Sequence, residues 1–371
     1  MRRVVIVVNR PEFFLSHRLA LAQRAMKEGF DVAVVTCAGD AAEQIRAAGI
    51  SWIPMRLDTG GMRPWRDFHT FIDLLRLFRR LRPDVVHNVT IKPVLYGTLA
   101  ARIANIPHVV NAVSGLGYLF TARRIFYSTF GTALYRIFMR HPRMHVIVQN
   151  VEDRTFFIEK KLAPAQAVIL VRGSGVDVER FRPQRKERHQ KIVIQTSRAV
   201  GDKGVREFIQ AARLVRARRP TVRFQLAGGL YPDNPSAISE GEMRKVQDEG
   251  VVEWLGHRDD VAELLAEASI FCLASYREGL PKSLLEAAAT GLPIVTTDIA
   301  GCREVVRDGV NGVLVPTRDP AALAAAIEHL LDDEQFATRL GAASRISVER
   351  EFSLDTILTQ QIALYGDPAR T

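Results

Sequence analysis

Short apolar runs alternate along this chain with longer stretches in which apolar residues return every three or four positions. Residues 4–8 and 32–36 are almost wholly aliphatic, and 84–87 becomes apolar once Pro83 is passed. Runs this short, apolar on both faces, predict buried strands of a parallel sheet. Residues 16–29, closed by Gly29, and 41–49 have helical spacing. So has 67–81, with Phe71, Leu74, Leu75, Phe78 and Leu81 on one face and Arg76, Arg79 and Arg80 on another. The alternation restarts beyond 190: strands are predicted at 191–196, 224–227, 251–255, 270–273 and 294–297, and helices at 205–218, 261–267, 283–290 and 320–331. A final helix is predicted over 352–365. Strands alternating with helices mean an α/β fold of doubly wound parallel sheets. The polar, basic segment 181–190 reads as a linker between domains at 1–180 and 191–351. In such folds ligands bind at the carboxyl ends of the strands, and a cleft between two facing domains is the default site.

Composition narrows the class. With 371 residues, 47% apolar and 25% charged, the chain is an ordinary globular protein of two domains. No run approaches the roughly 18 apolar residues that span a bilayer. Cys37, Cys272 and Cys302 are odd in number and far apart, with no C-x-x-C pair, which argues for a reducing cytoplasm and against a zinc site. The basic start followed by residues 4–8 is too short for a secretory h-region and lacks a cleavage site.

Charge is distributed unevenly. The net +10 divides into +12 over residues 1–180 and −2 over the remainder. Between Asp84 and Glu152 there is no acidic residue, while Lys92, Arg102, Arg123, Arg124, Arg136, Arg140 and Arg143 lie there. An anionic partner is expected on that face. Within it, residues 121–141 form a basic amphipathic helix that is either a core helix with a solvated rim or one lying on an anionic membrane surface through Arg123, Arg124, Arg136 and Arg140. No helix-turn-helix, zinc-finger or RNA-binding pattern accompanies the charge, so nucleic acid is not expected as a partner.

The chemistry concentrates in the second half. Glu278 sits in the loop after the strand 270–273 and Glu286 inside the next helix, about two turns further along. Between them Gly279, Leu280 and Lys282 offer backbone N–H groups at a helix start, suited to phosphate or sugar hydroxyls; the bland alternative is two surface glutamates. After the strand 191–196, Arg198 and Lys203 can converge on a diphosphate, with Gly201 and Gly204 turning the backbone. No Asp-x-Asp metal motif is present, so a metal is not expected.

The block 275–315, SYREGLPKSLLEAAATGLPIVTTDIAGCREVVRDGVNGVLV, closely resembles the nucleotide-sugar signature of glycosyltransferase family 4, retaining enzymes of GT-B fold. Arg198 and Lys203-Gly204 match that family's diphosphate-binding pair, while Gly228-Gly229 and Leu255-Gly256-His257 match its strand-end glycines and base-holding loop. In the first half, residues 13–18, 87–93 and 113–120 resemble the subgroup acting on polyprenyl-diphosphate carriers in bacterial surface polysaccharide and glycan assembly. The resemblance implies that Glu286 binds the ribose, Arg198 and Lys203 meet the diphosphate, and Glu278 bonds the donor sugar with Gly279 and Leu280 nearby. Gly228 and His257 would complete the donor site, and the helix 352–365 would pack back on the first domain. Front-face transfer, with the departing phosphate taking the acceptor proton, is the implied mechanism.

The first half departs from the family at Asn9-Arg10-Pro11 and Ser114-Gly115-Leu116. His17, Thr90, Lys92, Ser114 and Gly115 are the candidates for acceptor or phosphate contacts; His17 is equally readable as a packing histidine. The expected function is transfer of a hexose or N-acetylhexosamine from a UDP-sugar to a polyprenyl-diphosphate-linked saccharide for lipopolysaccharide O-antigen, capsule or glycan. The expected place is the inner face of the cell membrane. The alternatives are a GT-B-fold nucleotide-sugar epimerase, or a non-catalytic membrane-recruiting or nucleic-acid-binding protein.

Overall fold

The computed structural model describes residues 1–57, 63–113, 135–184, 190–232 and 234–366. Two compact units divide the chain, one of residues 1–174 with 357–371, the other of 175–356.

The first unit is built on a seven-stranded parallel sheet: β1 (Arg3–Val7), β2 (Asp31–Thr36), β3 (Ser51–Pro54), β4 (Val85–Val89), β5 (His108–Ala112), β6 (Met144–Val148) and β7 (Val168–Leu170). Their order, β3-β2-β1-β4-β5-β6-β7, reverses between β1 and β4. Val4 to Val8 and Val85, Val86 and Val89 are all buried, as an interior parallel strand requires. The expected helix 16–29 is two helices, Pro11–His17 and Leu19–Lys27, broken at Arg18. Pro11 opens the first of them, where its missing N–H costs no hydrogen bond. At the break Arg18 is drawn inside, 2% exposed, and burial pulls its pKa down to about 10. From Ile357 onward the last helix, Leu354–Ala363, belongs to this unit, and Tyr365 beyond it shares a 2.6 Å hydrogen bond with buried His87.

The second unit has a six-stranded parallel sheet of β8 (Ile192–Thr196), β9 (Arg223–Ala227), β10 (Glu253–Gly256), β11 (Ile270–Leu273), β12 (Ile294–Thr297) and β13 (Val313–Val315). The order β10-β9-β8-β11-β12-β13 repeats the first sheet's reversal, here between β8 and β11. Phe181, expected to open the linker, is 5% exposed and packs into this unit's core with Leu284, Leu285 and Val348. Helix Val205–Arg218 buries Phe208, Ile209 and Val215 against one face of the sheet. Helix Lys282–Ala289 buries Leu284 and Leu285 against the other.

Two glycines fix the strand ends at this reversal. Gly204 has φ +65°, and a Cβ there would lie 1.9 Å from the Ala274 carbonyl oxygen. Gly228 allows a similar approach: a Cβ would lie 1.7 Å from the Ser197 oxygen. Gly204→Ala combines a left-handed backbone with a backbone clash, and should cost about 3 kcal/mol or more. Denaturant titration checks this, and a loss below roughly 1 kcal/mol, an ordinary surface effect, would mean the contact is not a constraint.

Candidate functional site

The loops that leave β8 and β11 at the reversal carry the residues the sequence singles out. After β8 the chain makes a short 3-10 turn, Gly201–Lys203, closed by Gly204, which delivers Lys203 toward the loop after β11. There the Lys203 ammonium pairs with Glu278, and Ser275 Oγ donates to the same carboxylate oxygen, Oε1, at 2.7 Å. The two side chains are 22% and 10% exposed. Gln195 Nε2 donates to the Lys203 carbonyl at 3.0 Å, and Thr297 Oγ1 donates to the Ser275 carbonyl, so each loop is held by a side chain from the sheet. Gly301 completes the frame: its bare Cα lets helix Ala300–Arg303 approach the carbonyls of Glu278 and Gly279.

Arg198 lays its guanidinium 4.5 Å from the centre of the Tyr231 ring, which fixes the direction of an otherwise floppy side chain. Sequence reading missed Tyr231, because nothing in its spacing ties it to Arg198. Gly228 N–H donates to the Gly256 carbonyl at 2.7 Å and Trp254 Nε1 to the Gly228 carbonyl at 2.9 Å, knitting the ends of β9 and β10. His257 stands beside Gly229 but is 80% exposed, 3.4 Å from Asp259.

Pro281 caps helix Lys282–Ala289, with Leu280 buried before it. Glu286 lies one turn inside, its side chain 14% exposed. Burial raises its pKa above the ordinary carboxylate range, against the opposing pull of Lys282, 3.6 Å away, and Arg180. A carboxylate kept in such surroundings is suited to accept hydrogen bonds from neighbouring hydroxyls. Arg180 is a second residue missed from sequence; its guanidinium is tied to the Asp259 carbonyl at 3.2 Å. Two cations, a paired carboxylate and a buried one thus collect at one switch point, the place where open α/β sheets bind their ligands.

Comparison with known proteins agrees with this geometry. Residues 190–333 match the family model of glycosyl transferases group 1, and residues 3–144 match that of glycosyl transferase 4-like proteins. The chain is a family 4 glycosyltransferase of the GT-B fold. It is 28% identical over 336 residues to the N,N'-diacetylbacillosaminyl-diphospho-undecaprenol alpha-1,3-N-acetylgalactosaminyltransferase of Campylobacter jejuni, covering 85% of this chain and 86% of the relative. An Escherichia coli UDP-Gal:alpha-D-GlcNAc-diphosphoundecaprenol alpha-1,3-galactosyltransferase is 27% identical over 72% of each chain. Among solved structures, Anabaena HepE in complex with UDP and glucose superposes with a TM-score of 0.79 over 98% of both chains, at 18% identity, a likeness of fold.

In the first unit of the transferase the candidates meet different fates. His17 ends the first short helix instead of starting a long one, stacks on Phe13 at 4.3 Å, and sits 2.7 Å from Ser16 Oγ through Nδ1. Thr90, at the end of β4, has φ +73°, rare for a β-branched residue, and its hydroxyl oxygen is buried without a hydrogen bond in the protein. Asn9 Oδ1, past the end of β1, is likewise buried and unbonded. These orphaned groups flank the first sheet's own reversal. Asn9 carries no sequence signal beyond its place after a strand. Lys92 is not a spare cation: its ammonium meets Asp67 at 2.8 Å, both side chains largely buried.

Ser114, Gly115, Arg123 and Arg124 lie outside the described residues. Arg136 and Arg140 line a cavity of about 660 Å³ at the amino ends of β5 and β6, with Arg102 and Lys161. Arg136 donates to the Lys160 carbonyl at 2.8 Å, and Arg102 to that of Ile137 at 3.0 Å. Among the described residues no helix is long and apolar enough to cross a membrane, and no three His, Cys, Asp or Glu side chains gather as a metal site would need.

Glu286 offers a direct check on its own burial. Its folded pKa is raised, so its contribution to stability is full below the unfolded carboxylate range and is lost as pH rises through the raised value. Glu286→Gln should therefore raise the melting temperature of the ligand-free transferase at pH 7 to 8, with the gain shrinking toward pH 4. A gain that is absent at neutral pH, or constant across the range, would show that the ionised carboxylate carries no burial cost.

Proposed function

We propose that this glycosyltransferase moves a hexose or N-acetylhexosamine, with retention, from a UDP-sugar to a polyprenyl-diphosphate-linked saccharide in surface polysaccharide or glycan assembly. The observation that carries the reading is the grouping of Arg198, Lys203, Glu278 and Glu286 at the second sheet's switch point. The Campylobacter and Escherichia relatives, matched over most of their length, support the acceptor class, and the second names a UDP-sugar donor.

Each side chain has a role its chemistry suits. Glu286 accepts hydrogen bonds from the ribose hydroxyls. Arg198, as a fork, and Lys203, as a point charge, hold the diphosphate, where negative charge grows as the bond from C1 to the phosphate oxygen breaks. Glu278 accepts from the donor sugar hydroxyls while steadying Lys203, with Gly279, Leu280, Gly228 and His257 around the donor. The acceptor hydroxyl attacks C1 from the face the phosphate leaves, and its proton passes to the departing diphosphate oxygen. Glu278 is thus not the nucleophile, and trapping of a glycosyl group on it would overturn the mechanism. No step calls for a metal ion.

His17 and Thr90 are proposed to face the acceptor, while the charge of Lys92 is shared with Asp67. The enzyme is proposed to work peripherally on the inner face of the cell membrane, drawn by Arg123, Arg124, Arg136 and Arg140. Each basic residue close to an anionic surface adds roughly 1 kcal/mol.

Thermal melts with UDP and with GDP test the donor site. UDP should stabilise the wild type and fail to stabilise Glu286→Ala. Arg198→Ala should lower kcat about 100-fold, as loss of one leaving-group donor does. Unchanged kinetics in both variants would remove these loops from the reaction. Neutralising the four arginines together should weaken vesicle binding in a salt-sensitive manner; sedimentation with anionic liposomes at two ionic strengths reads it.

A further inference from the structure

The carboxyl edge of the first sheet holds a second basic site that the sequence motifs do not mark. A cavity of about 920 Å³ opens where β1, β2 and β3 end, lined by Arg10, Cys37, Met55, Arg56, Arg66 and His69 among others. Among the described lining residues Glu12 is the one carboxylate. The acid in the adjoining helix turn, Asp67, is committed to Lys92. Arg56 and Arg66 are exposed and meet no carboxylate among the described residues. Among the described lining residues three guanidiniums stand against one carboxylate, a cationic balance that arginine keeps at physiological pH.

The helix that forms one wall, Pro64–Leu81, exposes two large aromatic residues beside it. Trp65 is 79% exposed and Phe68 55%, the largest apolar side chains so displayed among the described residues. Neither lies on the buried side of this helix, which is Asp67, Thr70, Leu74, Leu77 and Phe78, and Phe68 only borders the rings of His69 and Phe71. An exposed Trp with a second aromatic and arginines alongside is the composition of a surface that seats itself at the headgroup level of a bilayer.

Strand spacing sets the layout. Neighbouring strands lie about 4.8 Å apart, so β4, β1, β2 and β3 span roughly 14 Å in that order along the edge. Thr90 and Asn9, with their unbonded buried oxygens, stand at the β4 and β1 end. Arg10 follows, then Arg56 after β3, and Trp65 and Phe68 beyond. Arg136 and Arg140 lie instead at the amino ends, removed by the length of a five-residue strand, about 17 Å.

We infer that the acceptor lies along this edge. Its saccharide meets Asn9 and Thr90 at the switch point, its diphosphate meets Arg10, Arg56 and Arg66, and its prenyl chain passes Trp65 and Phe68 into the bilayer. This rests on the lipid-linked acceptor proposed above and assigns that acceptor its contacts. The amino-edge arginines then add long-range attraction to an anionic surface, while the reacting molecule is held at the carboxyl edge.

The test compares three acceptors bearing the same saccharide: a long-chain polyprenyl diphosphate in phosphatidylglycerol-containing vesicles, a water-soluble short-chain prenyl diphosphate, and a neutral alkyl glycoside. The Arg56→Ala and Arg66→Ala double variant should lower kcat/KM for the short-chain diphosphate, relative to the neutral glycoside, about tenfold or more through KM. Trp65→Ala with Phe68→Ala should lower the ratio of long-chain to short-chain kcat/KM by a similar factor. UDP-induced stabilisation is measured in every variant to report on the donor site. A wild-type preference for diphosphate acceptors that survives both double variants overturns the placement and leaves the lipid-linked reading standing. A wild type that binds UDP and glycosylates the neutral glycoside as well as either diphosphate overturns both.

Discussion

The pairing of Lys203 with Glu278 is the constraint on which the second unit's chemistry depends. It joins the loop that leaves β8 to the loop that leaves β11, the two strands between which the sheet order reverses. The backbone can bring them together because Gly204 adopts a left-handed conformation directly against Ala274. Ser275, fastened through its carbonyl by Thr297, then sets the carboxylate from the other side. Removing either partner of a pair this sheltered would leave the other charge uncompensated, a larger loss than breaking an exposed pair. Position and stability are therefore tied, and each loop is fastened by a side chain from the sheet.

The two units use the same strand order for different ends. In the second, charge is supplied by loop residues packed among one another, and Glu286 is held at an energetic cost inside its helix. In the first, the reversal is flanked by neutral groups, Asn9 and Thr90, and the cations stand further out along the edge. The excess of +12 over residues 1–180 has a structural meaning here, since many of those cations have no carboxylate close by in sequence. Others are balanced: Lys92 meets Asp67, 25 residues earlier, and Arg3, Arg24, Arg46 and Arg76 also pair with carboxylates.

Much of this was legible because the deciding signals are local. Continuous Val and Ile runs located β1, β2, β8, β11 and β12, and helices Val205–Arg218 and Val261–Glu267 were bounded by their own turn residues. β3 and β7 escaped because one is short and half-exposed and the other has three residues. β5 escaped because half-buried His108 opens it and buried Asn111 interrupts its apolar run; Asn111 is accommodated by bonds to Thr98 and Asn88 far off in sequence. Helix Glu334–Glu351 escaped because its buried stripe, Ala337, Leu340, Gly341, Ser344 and Val348, is made largely of small or polar residues that carry little apolar signal. In the site, motif matching located Arg198, Lys203, Glu278 and Glu286, but their relations were invisible. The Lys203–Glu278 pair spans 75 residues, Tyr231 beneath Arg198 is 33 positions away, and the burial that perturbs Glu286 is a property of packing.

The sharing of Lys203 bears on turnover under the proposed mechanism. UDP gains charge as the sugar leaves, so every cation that speeds bond cleavage also strengthens the hold on the product. Arg198 and Lys203 acting alone would put two full positive charges on that diphosphate. Glu278 takes up part of the Lys203 charge, leaving the group near a net +1. Its bond to Lys203 is a ready alternative to the product's phosphate, so the ammonium can let go without being left bare in a half-buried site. The same carboxylate that orients the ammonium for transfer therefore limits how tightly the spent nucleotide is held, and one pair serves both the chemical step and release.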